Sequence, residues 1–142
     1  MASFVKFNKF LEALAEGGVN LGSDTLKFAL TNTAPTAASD TGFLPGSSHP
    51  PPAAANGYTT GGHTATIAGS SESGGTYTLA CTTDVTITAT AGGIGPFRYV
   101  LLYDDTAAND QLIGYWDYGS SITLNEGESF TIDVTASLLT IT

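Results

Sequence analysis

The sequence predicts a mainly β domain: an antiparallel β-sandwich or jelly-roll-like body with one N-terminal amphipathic helix and a Pro-rich surface arm. Three observations lead there. The 142 residues include 22 Thr and 17 Gly, a vocabulary of side chains that suit pleated surfaces and residues that make turns. Short runs that alternate apolar and polar side chains recur from residue 58 onward, separated by Gly-rich turns. Hydrophobic residues make up 42% of the chain and charged residues only 12%, which excludes a disordered chain and supplies a packed core. The length fits one domain, residues 1–142.

The helix is read over residues 3–16. Phe4, Phe7, Leu11 and Leu14 follow the helical period, Phe10 widens the same stripe, Ser3 is placed to cap the start, and Gly17-Gly18 ends it. Three Phe rings are a large apolar payload for one short helix, so the stripe packs on the protein's own sheet or anchors a partner subunit. From Leu26 the period changes to two: Leu26, Phe28 and Leu30 alternate with Lys27, Ala29 and Thr31, a strand with one buried face that Pro35 closes. Residues 36–57 are rich in Ala, Ser and Pro, and the run His49-Pro50-Pro51-Pro52 favours an extended polyproline segment. A segment this long without periodicity reads as a surface arm, with Pro50, Pro51 and Pro52 as candidate contact residues.

Strands are predicted next at 64–68, 77–81, 85–89, 97–103, 111–118, 122–124, 130–134 and 138–142. Gly92, Gly93 and Gly95-Pro96 are read as a break before the strongest strand. Val100-Leu101-Leu102 within that strand points to cover on both faces. Residues 111–118 answer it across an acidic loop as a long hairpin.

Charge narrows the partners. The net charge is −9, and Lys6, Lys9 and Lys27 are balanced by Glu12, Glu16 and Asp24. Past Lys27 the only base is Arg98, against ten acids, a surface that repels phosphate backbones and argues against nucleic acid. No apolar run is long enough to span a bilayer, and charges at Lys6, Lys9 and Glu12 interrupt any signal-like start, so a soluble chain made in the cytoplasm is expected.

Few constellations suggest chemistry. Asp104, Asp105, Asn109 and Asp110 place four oxygen-bearing side chains within seven residues, a possible Ca²⁺ loop that lacks the EF-hand spacing and is also good turn chemistry. His49, His63 and Cys81 show no zinc-ligand spacing, and Cys81 lies in a predicted strand as a small buried residue. No Ser sits in a nucleophile elbow, and the Gly-rich turns at 57–62 and 92–95 lack a phosphate-binding Lys. No cofactor and no catalysis are expected. Tyr99, Tyr103, Tyr115, Trp116 and Tyr118 form either the core of the hairpin or a face for sugars or a protein partner.

The order of several segments carries a resemblance. They are the N-terminal amphipathic stretch, then residues 24–36 from Asp24 to Thr36, then Asn56-Gly57-Tyr58-Thr59-Thr60-Gly61-Gly62. Ile94-Gly95-Pro96-Phe97-Arg98-Tyr99 and Leu112-Ile113-Gly114-Tyr115-Trp116-Asp117-Tyr118-Gly119 complete it. In this order the chain resembles small virion structural proteins of tailed bacteriophages, apart from the Pro-rich stretch at 43–55. The resemblance implies a non-enzymatic virion role, and a head decoration or cement protein is the expected function. Its partner would be the major capsid protein or another virion protein, with self-association. Phe4, Phe7 and Phe10, or the arm around Pro50, Pro51 and Pro52, would make the contact. A carbohydrate- or receptor-binding module of a tail or head fibre is the alternative, using the aromatic rings and Ca²⁺ at Asp104, Asp105 and Asp110.

Overall fold

A computed structural model of the protein describes residues 2–43 and 49–142. Those residues form, in order, β1 (Phe4–Lys6), α1 (Asn8–Ala15), β2 (Leu26–Thr31), β3 (His63–Thr64), β4 (Ile67–Ser73), β5 (Thr76–Cys81), β6 (Val85–Thr88), β7 (Ile94–Asp104), β8 (Gln111–Leu124), β9 (Ser129–Ile132) and β10 (Leu139–Ile141). The protein is mainly β, 45% strand and 6% helix, with antiparallel sheets. One sheet has the order β1-β8-β7-β2-β3, a second β10-β5-β4, and β6 and β9 form a two-stranded third.

The largest sheet is built on the hairpin read from the sequence. β7 and β8 pair from Asp104↔Gln111 out to Ile94↔Leu124 through three register shifts. The chain does not break at Gly95-Pro96; the ladder absorbs them at one of those irregularities. β2 lies on the other side of β7, six residues in register from Leu26↔Asp104 to Thr31↔Tyr99. Val100, Leu101 and Leu102 are buried in succession, so β7 is covered on both faces. β2 is covered likewise, with Ala29, Leu30 and Thr31 all buried; the single buried face expected of it is too few by one.

The helix is shorter than its sequence period. α1 begins at Asn8, Phe7 occupies its N-cap without a side-chain cap, and Phe4–Lys6 are extended instead of helical. Pairing overrides propensity here: Phe4, Val5 and Lys6 add a strand to β8 opposite Trp116, Tyr115 and Gly114. Gly114 is what lets them approach, because a Cβ at that position would overlap the Phe4 ring and crowd the Val5 carbonyl. The end of the helix follows the sequence reading: Gly17 takes a left-handed φ of 79° and Gly18 N donates to Ala13 O at 2.7 Å.

The arm expected at 36–57 is docked along the large sheet at both of its described ends; residues 44–48 lie outside the description. Leu112 N donates to Thr41 O (2.9 Å) and Phe43 N to Asp110 O (2.8 Å), and the buried Phe43 ring sits 4.7 Å from Tyr103. His49 is buried with its Nε2 3.0 Å from Asp40 Oδ2. Thr31 Oγ1 donates to Pro50 O at 3.0 Å. β3 covers only Lys27 and Phe28 of β2, and beyond it the Tyr58 hydroxyl stands in for a strand by accepting Leu30 N at 3.0 Å. Burial pushes the Tyr58 hydroxyl up to about 12, so it stays neutral.

The abundant Thr is explained by exposed pairing surfaces. Between β6 and β9, Thr86 and Thr131 share a hydroxyl hydrogen bond at 3.0 Å, and Thr88 and Ser129 one at 2.7 Å.

Two substitutions test these anchors. Gly114→Ala is expected to destabilise the fold by about 1–3 kcal/mol in urea unfolding. Most of that loss should disappear in a Phe4→Ala background, where the displaced ring is already gone. Tyr58→Phe leaves the Leu30 N–H buried without an acceptor and is expected to cost about 1–3 kcal/mol; a neutral result in the same assay would remove Tyr58 as an anchor.

Candidate functional site

β8 outruns the strand that covers it. β1 lies along Gly114, Tyr115 and Trp116, whereas β8 continues to Leu124, and residues 118–121 are exposed. Period two puts Trp116 and Tyr118 on one face, with Val100 of β7 opposite Trp116 in register. The turn at 125–128, where Glu128 N donates to Asn125 O at 3.0 Å, brings the chain back as β9. Its alternating Phe130, Ile132 and the following Val134 meet the first row. Val100, Trp116, Tyr118, Phe130, Ile132 and Val134 thereby line a groove of about 250 Å³.

The groove wall is aromatic and held from behind. Trp116 packs between Phe4, at 4.9 Å between ring centroids, and Phe28, at 6.1 Å. Phe130 stands edge-on to both Phe97 (5.1 Å) and Tyr118 (5.9 Å). Tyr118 is 57% exposed, the most exposed large apolar side chain among the described residues. Arg98 is spent beside this site: its Nε and Nη2 reach the two Asp117 carboxylate oxygens at 2.8 and 2.9 Å. That pairing holds Asp117 below the usual aspartate range and Arg98 above its own. The local surface therefore keeps the acidic character of the whole. Asp133 and Tyr118 are the ionisable groups in the lining. Apolar burial plus ring stacking is the chemistry on offer.

The residues expected to make contacts fall into separate groups. Phe7 and Phe10 are 0% exposed; they belong to the protein's own core, and the anchoring role expected for them is corrected on that ground. Phe4 is half-buried and serves the groove from behind through Trp116. Pro50 is exposed, while Pro51 and Pro52 are half-buried beside the docked arm. The aromatic set divides: Tyr99 and Tyr103 are buried, Tyr115 and Trp116 are half-buried, and Tyr118 projects outward.

The acidic loop does not gather three carboxylates at one point among the described residues. Asp104 turns inward, and its Oδ1 accepts Thr106 N (2.9 Å) and Ala107 N (3.1 Å). Asp105 pairs with Lys27 at 2.9 Å, and the Asp110 carbonyl is occupied by Phe43 N. Among the described residues no group of three or more His, Cys, Asp or Glu side chains converges as metal ligands. The Ca²⁺ set Asp104, Asp105 and Asp110 is corrected accordingly: turn bonds hold Asp104 inward and Lys27 takes Asp105. Burial, with Asp84 adding to it, raises the Cys81 thiol, the reverse of what an activated nucleophile needs. Burial lowers His63 and keeps its ring neutral against Tyr58.

Sequence reasoning missed the second wall of the groove. Phe130, Ile132 and Val134 show the alternation of a strand, but nothing local says which row they face. Asp24 was read as a charge-balancing residue, and its place beside Asp104 depends on a contact across 80 positions. No protein-family model matches this chain, and no curated protein or solved structure is found to be similar to it.

Proposed function

We propose that this chain is a non-enzymatic structural protein of a tailed-phage virion, a decoration or cement protein that binds the outer surface of the head and strengthens contacts between capsid subunits. The observation that carries this reading is the groove under Tyr118: an apolar, ring-walled cleft open at the exposed end of a strand, on an otherwise acidic body. Such a cleft suits a large apolar side chain of a protein neighbour, and a central aromatic anchor is the usual source of interface energy. The resemblance in motif order to small phage virion proteins supplies the setting. In this reading the three antiparallel sheets stack as a sandwich-like body, and the chain works in many copies beside the major capsid protein, with self-association on the lattice. It is made in the host cytoplasm and resides in the virion, with no contact to nucleic acid or membrane. Phe4 supports the contact face from behind, and Pro50 to Pro52 offer a second point of attachment.

A carbohydrate- or receptor-binding role on a tail or head fibre is the second reading, favoured by the same rings, since Trp116 and Tyr118 present flat faces of the kind sugars stack on. Heads lacking the protein separate the two. The decoration reading predicts saturable binding to such heads and no retention on host cells or glycans. Tyr118→Ala should weaken head binding by ~10-fold or more, with a melting temperature near that of the parent protein. Binding to cells or glycans without any capsid would move the function to the fibre.

A further inference from the structure

Asp104, the last residue of β7, is 0% exposed. Its Oδ1 is satisfied by two backbone N–H groups of the following turn, whereas its buried Oδ2 has no N–H or hydroxyl donor among the described residues. A buried carboxylate oxygen without a donor is costly and calls for a positive charge or a proton. The backbone brings a second carboxyl to the same place. Asp105 N donates to Thr25 O at 2.9 Å, Thr25 N donates to Thr106 Oγ1 at 2.9 Å, and Leu26 pairs with Asp104. Asp24, one residue before Thr25, accepts Asn20 N on its Oδ2 at 2.7 Å. These contacts bring the Asp24 carboxyl beside Asp104, where it acts to raise the Asp104 carboxyl.

The neighbouring charges do not resolve the conflict. From β2, Lys27 is engaged by Asp105 at 2.9 Å. From the β7–β8 loop, Asp105 and Asp110 add negative charge, and burial together with Asp105 raises Asp110 in turn. Two neighbouring carboxyls, one buried and the other half-buried, cannot both ionise cheaply, but with one proton between them they become donor and acceptor.

We propose that Asp24 and Asp104 form a proton-held clasp, which fastens the β7–β8 loop to the turn before β2 while the pair shares one proton and loosens when that proton is lost. Asp104 is raised to about 6, by burial first and by Asp24 second, so the change falls between mildly acidic and neutral solution. A carboxyl held above its unfolded value binds more protons in the folded state. Its contribution to stability is therefore largest in acid, declines as pH rises from about 4 to about 6, and is absent above. The loop carries a load: Asp110 O accepts Phe43 N, and Leu112 N, just beyond the loop, binds Thr41 O. Release of the clasp therefore slackens the docked segment at 41–43 as well.

The test is thermal unfolding from pH 5 to 8 of the parent protein, Asp104→Asn and Asp24→Asn, each with EDTA and separately with millimolar Ca²⁺. Asp104→Asn keeps the acceptor for Thr106 and Ala107 and offers Asp24 a permanent donor. Relative to it, the parent should lose ~5 °C of melting temperature between pH 5 and pH 7.5, and Asp24→Asn should show a smaller loss than the parent. Parallel pH profiles for the parent and Asp104→Asn would overturn the clasp. So would Ca²⁺ stabilisation of the parent at pH 8 that Asp104→Asn abolishes, because the missing charge would then be a metal ion. Should Asp104→Asn fail to fold, carboxyl-carbon NMR of the parent decides: Asp104 titrating about two units above an ordinary aspartate supports the clasp, and an ordinary value refutes it.

Discussion

Between Ile94 and Leu124 the chain runs out along β7, turns through the acidic loop, and returns along β8, with the two strands hydrogen-bonded over most of that length. β2 attaches to the free side of β7 and β1 to the free side of β8, so four of the five strands of the largest sheet take their places from this one pairing. The apolar sequence of β7 makes it possible. Val100, Leu101 and Leu102 need cover on both faces, and the helix, the docked arm and the smaller sheets are recruited to provide it. Phe7 against Tyr115, Phe43 against Tyr103 and Phe130 against Phe97 are three such points of cover.

The same hairpin generates both sites of interest at its two ends. At the open end, β8 extends past β1 and exposes Tyr118, and the returning β9 supplies the opposite wall of the groove. At the loop end, Asp104 is drawn inward by the Thr106 and Ala107 N–H groups, beside the turn that carries Asp24. One end exposes apolar surface at Tyr118, and the other buries the Asp104 carboxyl. With Arg98 bound to Asp117, Lys27 to Asp105 and Lys9 to Glu12, three of the four bases are paired within the chain, and the body meets its surroundings as a polyanion.

Much of this was legible before any coordinates. Strict alternation in 26–31, 77–81 and 130–132 and the continuous apolar run at 100–102 carry their strand assignments directly, and Gly17 marks the helix end by the conformation it adopts. The failures share a physical cause. Phe4, Phe7 and Phe10 fit a helical period, but Gly114 lies across the sheet and is what makes an extended Phe4 the better choice. Residues 36–43 and 49–58 look structureless because their order comes from single hydrogen bonds and buried rings of Phe43 and Tyr58, which leave no periodic trace. For the sites, the acidic cluster was visible as composition, yet composition cannot say that Asp105 turns to Lys27 while Asp104 turns inward to the Thr106 and Ala107 N–H groups. The groove rows were visible as two strands, and only the fold sets them face to face.

A cryo-electron microscopy map of the intact virion tests the proposed role most directly, because it reads position and orientation together. The predicted result is a density of this β domain repeated over the head shell, with Tyr118 and the groove beside it turned onto the capsid lattice. Density confined to the tail or fibre tips, or a head-bound domain whose groove faces solvent, would contradict it.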